Sequence, residues 1–361
     1  MTQWPDSCFT DLVGIAHPII QAPMLGAGAP MMIGVAKAGG LGSLACATLT
    51  LDAVRAEVAA FREACDQPFN LNFFCHQAPE PDEARARQWK SLFKDYYREL
   101  GVDYDAPTPV SSRAPFDEAT CALVEELRPP VVSFHFGLPA PHLLARVKAC
   151  GARVLSSATT VEEAQWLERN GCDAIIAMGY EAGGHRAMFL SNELTTQIGT
   201  FALVPQIADA VSVPVIAAGG IADARGIAAA FALGASAVQI GTAYLFCLQA
   251  RLARPHYRAL REAGSSETAL TNLFTGHPAR GIVNRVMREL GPINPQAPEF
   301  PLAGGVLLPL KAKTEPAGSP DFINLWAGQA FALSPGRRVE LSSEELTRKF
   351  VDDYTARSTC K

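Results

Sequence analysis

Eight short apolar runs separated by stretches of helical periodicity lie between residues 19 and 240, and this alternation limits the fold more tightly than anything else in the chain. They are Ile19-Ile20-Gln21-Ala22-Pro23-Met24, then 41–46, 69–74, 131–136, 153–157, 174–178, 213–218 and Ala237-Val238-Gln239-Ile240. Runs this short and this apolar read as strands buried on both faces. Strands of that kind need helical crossovers between parallel neighbours, and the helical signals are present. Pro30 can open the first helix, because position N1 needs no backbone donor, and Gly39-Gly40 ends it. Thr160 with Glu163 has capping-box spacing, and that helix stops at Asn170-Gly171. The chain is therefore expected to be α/β, a parallel (β/α)8 TIM barrel. An open doubly wound sheet is the alternative. Gly40-Leu41-Gly42-Ser43-Leu44-Ala45 imitates a dinucleotide fingerprint, but it follows a helix and precedes a strand, the reverse of what that motif requires.

Two segments break the rhythm. In residues 76–114, Trp89, Leu92, Phe93, Tyr96 and Leu100 fall at helical spacing, so this insert after the third strand carries an amphipathic helix of its own. Beyond the eighth strand, Ile282, Val283, Val286, Met287 and Leu290 share one helical face, a Pro-rich stretch follows, and a last helix opens at Ser342, capped with Glu345. Residues 1–75 and 115–250 are thus expected to form the barrel. Residues 76–114 and 251–361 are expected to form a helical cap over its C-terminal mouth, contributing to a substrate pocket.

With 361 residues and 48% hydrophobic content, the chain can bury a large core. A net charge of −5 without basic clusters argues against nucleic-acid or anionic-membrane partners. No apolar run approaches the roughly 18 residues of a membrane span. Nine cysteines, an odd number with no Cys-x-x-Cys pair, suit free thiols in a reducing compartment rather than disulfides or a metal site. The expectation is a cytoplasmic protein without a metal, acting on a small molecule; oligomeric state is not set by the sequence.

In such a barrel the reacting groups gather where the strands end at their C-terminal side. After the sixth strand comes Gly179-Tyr180-Glu181-Ala182-Gly183-Gly184-His185-Arg186, a loop with an acid, two adjacent glycines and an imidazole. Paired glycines let main chain approach a ligand closely, and an imidazole near neutral pH can accept a proton. Gly219-Gly220 after strand seven, with a helix start behind it, and Gly241-Thr242 after strand eight occupy the usual barrel phosphate position. Asn72 and Gln239 are placed to give amide hydrogen bonds to a heterocycle, with the loop at Met24 against it. Polar but uncharged groups in the middle suit flavin mononucleotide (FMN) better than a sugar phosphate. His135, between Phe134 and Phe136, is either a pocket-lining residue or a satisfied polar group in the strand.

The ordered motifs Gln21-Ala22-Pro23-Met24, Asn70-Leu71-Asn72, Ser133-Phe134-His135-Phe136-Gly137, Glu181-Ala182-Gly183-Gly184-His185-Arg186, Ala217-Ala218-Gly219-Gly220-Ile221-Ala222 and Gln239-Ile240-Gly241-Thr242 resemble those of the nitronate monooxygenases, formerly called 2-nitropropane dioxygenases. Leu325-Trp326-Ala327-Gly328-Gln329 extends the resemblance toward the C-terminus. It implies FMN as redox centre and oxidation of alkyl nitronates, such as propionate 3-nitronate, by molecular oxygen. By the same resemblance Met24, Asn72, Gly183, Gly219, Gly220, Gln239, Ile240, Gly241 and Thr242 belong to the cofactor site. His185 would hold the nitro group or take a proton from a neutral nitroalkane, and His135 would line the substrate pocket. The chain departs from the pattern twice: Met178 stands where the family often has Gln, and Ala187 where many members have Gly. An FMN-dependent enoyl-thioester (enoyl-ACP) reductase using NAD(P)H, and a non-redox phosphate-ligand barrel, are the competing readings.

Overall fold

A computed structural model describes residues 4–109 and 113–359; residues 110–112 of the expected insert lie outside them. Eight parallel strands run β1 (Ile19–Gln21), β2 (Gly42–Ala45), β3 (Phe69–Phe74), β4 (Val131–His135), β5 (Arg153–Ala158), β6 (Ala174–Met178), β8 (Val215–Ala218) and β9 (Ala237–Ile240). Each hydrogen-bonds its neighbour, and β1 pairs with β9 at Ile19 and Val238. A bridge from Ile20 to Leu41 brings β1 against the start of β2, so the sheet closes as a (β/α)8 barrel.

Alternation along the strands explains the closure. Leu71, Val132, Val154, Ile175 and Val238 face outward into the core under the helices, while Ile20, Val131, Leu155, Ile176 and Ile216 face inward. The helix Cys8–Val13 sends Phe9 and Val13 into that inner cluster. Above the inner layer the interior turns polar: Asn70 donates to the hydroxyls of Ser43 (3.1 Å) and Ser133 (2.9 Å), and Asn72 to Ser133 (3.0 Å). The alternating asparagines of β3 thus build a buried amide and hydroxyl layer just below the barrel mouth.

Local chemistry sets the element ends. Pro30 stands in the first turn of Ala29–Lys37, and Ser342 and Glu345 bond reciprocally at the last helix, Ser343–Thr359. At the helix Val161–Arg169 only half the capping box forms: Thr160 accepts from Glu163 N, whereas the Glu163 carboxylate caps Thr159 and the N–H groups of Phe189 and Leu190. That buried acid therefore anchors the end of the loop that follows β6.

Three parts differ from the sequence expectation. The insert holds two helices, Glu83–Ser91 and Lys94–Leu100, broken at Leu92-Phe93, yet Trp89, Phe93 and Tyr96 still make one buried stripe. Ile282 does not open a helix; it ends strand β11 (Ala279–Ile282), and the helix begins at Arg285. This strand belongs to a second, three-stranded sheet with β10 (Thr268–Thr271) and β7 (Gly184–His185). Four-residue strands beside glycines leave no period that could separate strand from helix. A second core joins the insert to residues 273–322, with Trp89 Nε1 donating to Ala303 O (2.9 Å) and the Tyr97 hydroxyl to Val306 O (2.8 Å). The last helix packs elsewhere, its Leu346, Phe350, Val351 and Tyr354 joining the core outside the barrel strands.

Candidate active site

A cavity of about 320 Å³ opens at the C-terminal ends of the barrel strands, within the ~300–1,000 Å³ usual for small-ligand sites. Met24, Asn72, His135, Met178, Gly183, His185, Gly219, Gly220, Gln239, Gly241 and Thr242 all line it. Ile240 does not: its side chain is buried in the core beneath the helices, and its carbonyl accepts from Ala22 N (2.9 Å). Its neighbours on either side in β9 and the loop after it face the cavity; a strand residue between them points the other way.

One end of the cavity is main chain. Gly219 and Gly220 have φ of +105° and +70°, a left-handed backbone that favours glycine. Among the described residues nothing accepts a hydrogen bond from the N–H groups of Gly219, Gly220 or Gly241. The helix start behind them contributes less than expected, because Asp223 caps it, accepting from Arg225 N (2.9 Å) and Gly226 N (3.4 Å). The anion-binding donors are therefore those of the glycine turns. Gly183 is needed for another reason: a Cβ there would lie 2.5 Å from Gly328 N. Main chain of Leu325–Gln329 packs directly on the β6 loop, with Gln329 N on Glu181 O (2.9 Å) and Gly328 N on the Thr242 hydroxyl (2.9 Å).

The middle offers two amide acceptors. Asn72 spends its N–H donors on Ser133, and Gln239 Oε1 is buried with no hydrogen-bond partner. A buried carbonyl left unpaired costs free energy unless a ligand donates to it.

The other end is built of side chains. The His185 ring sits 5.2 Å from Phe300, 5.5 Å from Trp326 and 6.0 Å from Phe74, centroid to centroid. Its Nε2 meets the Thr275 hydroxyl at 3.0 Å. Burial, reinforced by Arg113, His277, His135 and His76, holds its imidazole well below the ordinary histidine range, so it is neutral at pH 7. His135 donates Nε2–H to His185 O (3.1 Å), and burial pushes it down to about 3. The residue is thus both a cavity wall and a satisfied polar group that holds the β6 loop. Phe136 follows it with φ of +68°, unusual for an aromatic residue, and packs on His135, His277 and Phe300. Arg186, fully buried, donates to Met178 O (2.8 Å) and Gly179 O (2.6 Å) and closes the loop on itself.

Sequence reasoning missed Thr275, His277, Phe300 and Arg113, because each reaches the site from outside the barrel strands. The only local signal was Thr275-Gly276-His277-Pro278, a polar turn with a glycine between hydroxyl and imidazole. Among the described residues no cluster of three or more His, Cys, Asp or Glu could hold a metal ion. Cys75 is half-buried, desolvation pushes its thiol well up, and it is no candidate nucleophile.

The pattern described as nitronate monooxygenase matches residues 6–352. The chain is 41% identical to a nitronate monooxygenase of Pseudomonas aeruginosa, over 96% of this chain and 98% of that one. It is 40% identical to a nitronate monooxygenase of Paraburkholderia phytofirmans, over 90% and 89%. The solved nitroalkane oxidase of Streptomyces ansochromogenes superposes with a TM-score of 0.87 at 35% identity, covering 98% of this chain and all of that one. With the match spanning nearly the whole length, the chain belongs to the nitronate monooxygenase family.

Proposed function

We propose that this enzyme binds FMN and oxidises alkyl nitronates, propionate 3-nitronate among them, with molecular oxygen. One observation carries the reading: a single cavity joins a glycine cradle of free N–H donors to a neutral histidine, with the unpaired Gln239 carbonyl between them. These residues fit FMN. The turns at Gly219-Gly220 and Gly241-Thr242 would hold its phosphate, while Asn72 and Gln239 would accept from the ring and Met24 would lie against it. Bound there, the flavin would supply one-electron transfer between substrate and oxygen.

The protein's own part is binding, orientation and proton control. Phe74, Phe136, Phe300 and Trp326 surround His185 and exclude water, which strengthens any charge interaction inside. An anionic nitronate beside His185 would raise the imidazole's affinity for a proton, offsetting the burial that lowers it in the free enzyme. His185 is then positioned either to hold a nitronate oxygen or to take a proton from a neutral nitroalkane.

Anaerobic mixing is the test. Purified protein with flavin absorption bands that bleach with propionate 3-nitronate supports the reading. Bleaching by NADH instead favours an enoyl-thioester reductase. Absence of any flavin bands, with no uptake of added FMN, overturns it.

A further inference from the structure

The buried hydroxyl of Thr275 meets two groups at once. It lies 3.0 Å from His185 Nε2 and 3.3 Å from the carbonyl oxygen of His277. A carbonyl only accepts, so the single hydroxyl proton goes to His277 O, and the hydroxyl oxygen is left to accept. His185 must then carry its proton on Nε2. No group among the described residues bonds its Nδ1, and the residue lines the cavity.

The hydroxyl has little freedom to move. Thr275 sits in a turn closed by Gly276 N on Asn272 O (2.8 Å), and Asn272 exchanges side-chain bonds with Asn294 (both 2.9 Å). Gly276 has φ of +93°, and a Cβ there would stand 2.1 Å from Pro298 O. Around the imidazole, His135 holds the carbonyl of His185 and His277 donates Nε2–H to the carbonyl of Arg186 (3.0 Å). Main chain is thus clamped on both sides of the ring, aromatic rings pack against it, and among the described residues Thr275 is its hydrogen-bond partner.

We infer that Thr275 is a positioning residue: through the relay His185 Nε2–H to Thr275 Oγ1–H to His277 O, it fixes His185 with Nδ1 unprotonated and open to the cavity. This rests on the function proposed above and says which ring nitrogen serves when the substrate is a neutral nitroalkane. Nδ1 takes the proton from the carbon that bears the nitro group. The C–H electron pair becomes the C=N bond of the nitronate, and the negative charge settles on the nitro oxygens. The new Nδ1–H then donates to one of them, so base and anion holder are one atom in succession. The opposite hydroxyl orientation would leave His277 O unpaired and put a donor, not a base, toward the substrate.

The test has two arms on the FMN-loaded enzyme. Long-range nitrogen–proton correlation of histidine-labelled protein, with His185→Asn to identify the signals, should show His185 protonated on Nε2; protonation on Nδ1 overturns the relay. Steady-state rates should then split by substrate. Thr275→Val, with normal flavin content, should lose about tenfold or more in kcat on neutral nitroethane, yet less than about threefold on ethylnitronate, which has no proton to give. Thr275→Ser should restore the nitroethane rate. Equal loss on both substrates, or a wild-type enzyme that turns over ethylnitronate and ignores nitroethane, overturns the proposal. Inactivity of the wild type on both would instead remove the functional reading, while the tautomer measurement still decides the relay.

Discussion

The two ends of the cavity are built on opposite plans. The glycine end consists of main chain from two adjacent strands, with left-handed Gly219 and Gly220. The histidine end is assembled from side chains of β3, β4, the β6 loop and three segments beyond residue 270. A main-chain site depends on local conformation and tolerates variation around it. A side-chain site depends on distant segments meeting correctly, and each member has a second partner that must also be satisfied. The contrast predicts that damage at the glycine end removes the cofactor outright, whereas damage at the histidine end leaves it bound and idle.

The largest effect tests the first half. Gly220→Asp should yield protein without FMN and without activity. Its φ of +70° is one that Asp tolerates, and a Cβ there meets only the Glu181 side chain at ordinary contact, 3.5 Å. The fold should therefore survive, and the loss should come from negative charge against phosphate. Gly220→Asn, neutral and of the same shape, should retain FMN far better. Equal flavin occupancy in the two variants, read from absorbance ratios, would detach the phosphate from this turn.

His185→Asn tests the second half. It should keep full flavin occupancy while kcat/KM falls by ~10²–10⁴, the usual contribution of a placed proton acceptor. Loss of FMN in this variant would erase the distinction between the ends.

The same contrast decides what could be read from the chain. β strands buried on both faces and glycines at their ends are local signals, so the barrel, Gly219-Gly220, Gly241-Thr242 and His185 were all legible. The relay partner Thr275 was not, because 90 residues separate it from His185 and only the pairing of β7 with β11 brings them together. That pairing rests on Gly184 and His185 opposite Ala279 and Arg280, residues without strand-like periodicity. Ile240 differs in the opposite sense: it shares a motif with Gln239 and Gly241, but alternation in β9 turns its side chain outward into the core, away from the cavity.

Proton sensitivity should also belong to the histidine end. Burial lowers His135 to about 3 and His277 to about 4, and holds His185 well below its ordinary value. His256, bonded to Trp326 O (3.2 Å), is likewise pushed to about 4. Unfolded histidines take up protons near pH 6.5, where these stay neutral, so the unfolded state binds more protons below that pH. Stability should consequently fall as pH drops from about 6.5 toward 4, each such histidine adding a slope of at most about 1.4 kcal/mol per pH unit. Thermal melts at pH 7, 6 and 5 should show a declining Tm, and His277→Gln should flatten the decline. A Tm independent of pH over this range would mean these imidazoles are protonated in the fold.

Met178 offers the finest test, because it lies where the plans meet. It ends β6, lines the cavity and packs against Ala182 and Ala187 in a small apolar cluster. The two departures from the family pattern therefore share one small apolar cluster, a thioether in place of an amide and a methyl in place of a hydrogen. An amide at this position would gain a bond to the flavin worth ~1 kcal/mol, about fivefold in affinity. It would also bury its polar end against Ala187. Met178→Gln alone should thus tighten FMN less than the double variant with Ala187→Gly, and the double variant should shift the flavin absorption bands further. FMN dissociation constants that change additively, with Ala187→Gly neutral in both backgrounds, would show the two positions to be independent and place Met178 wholly with the main-chain end.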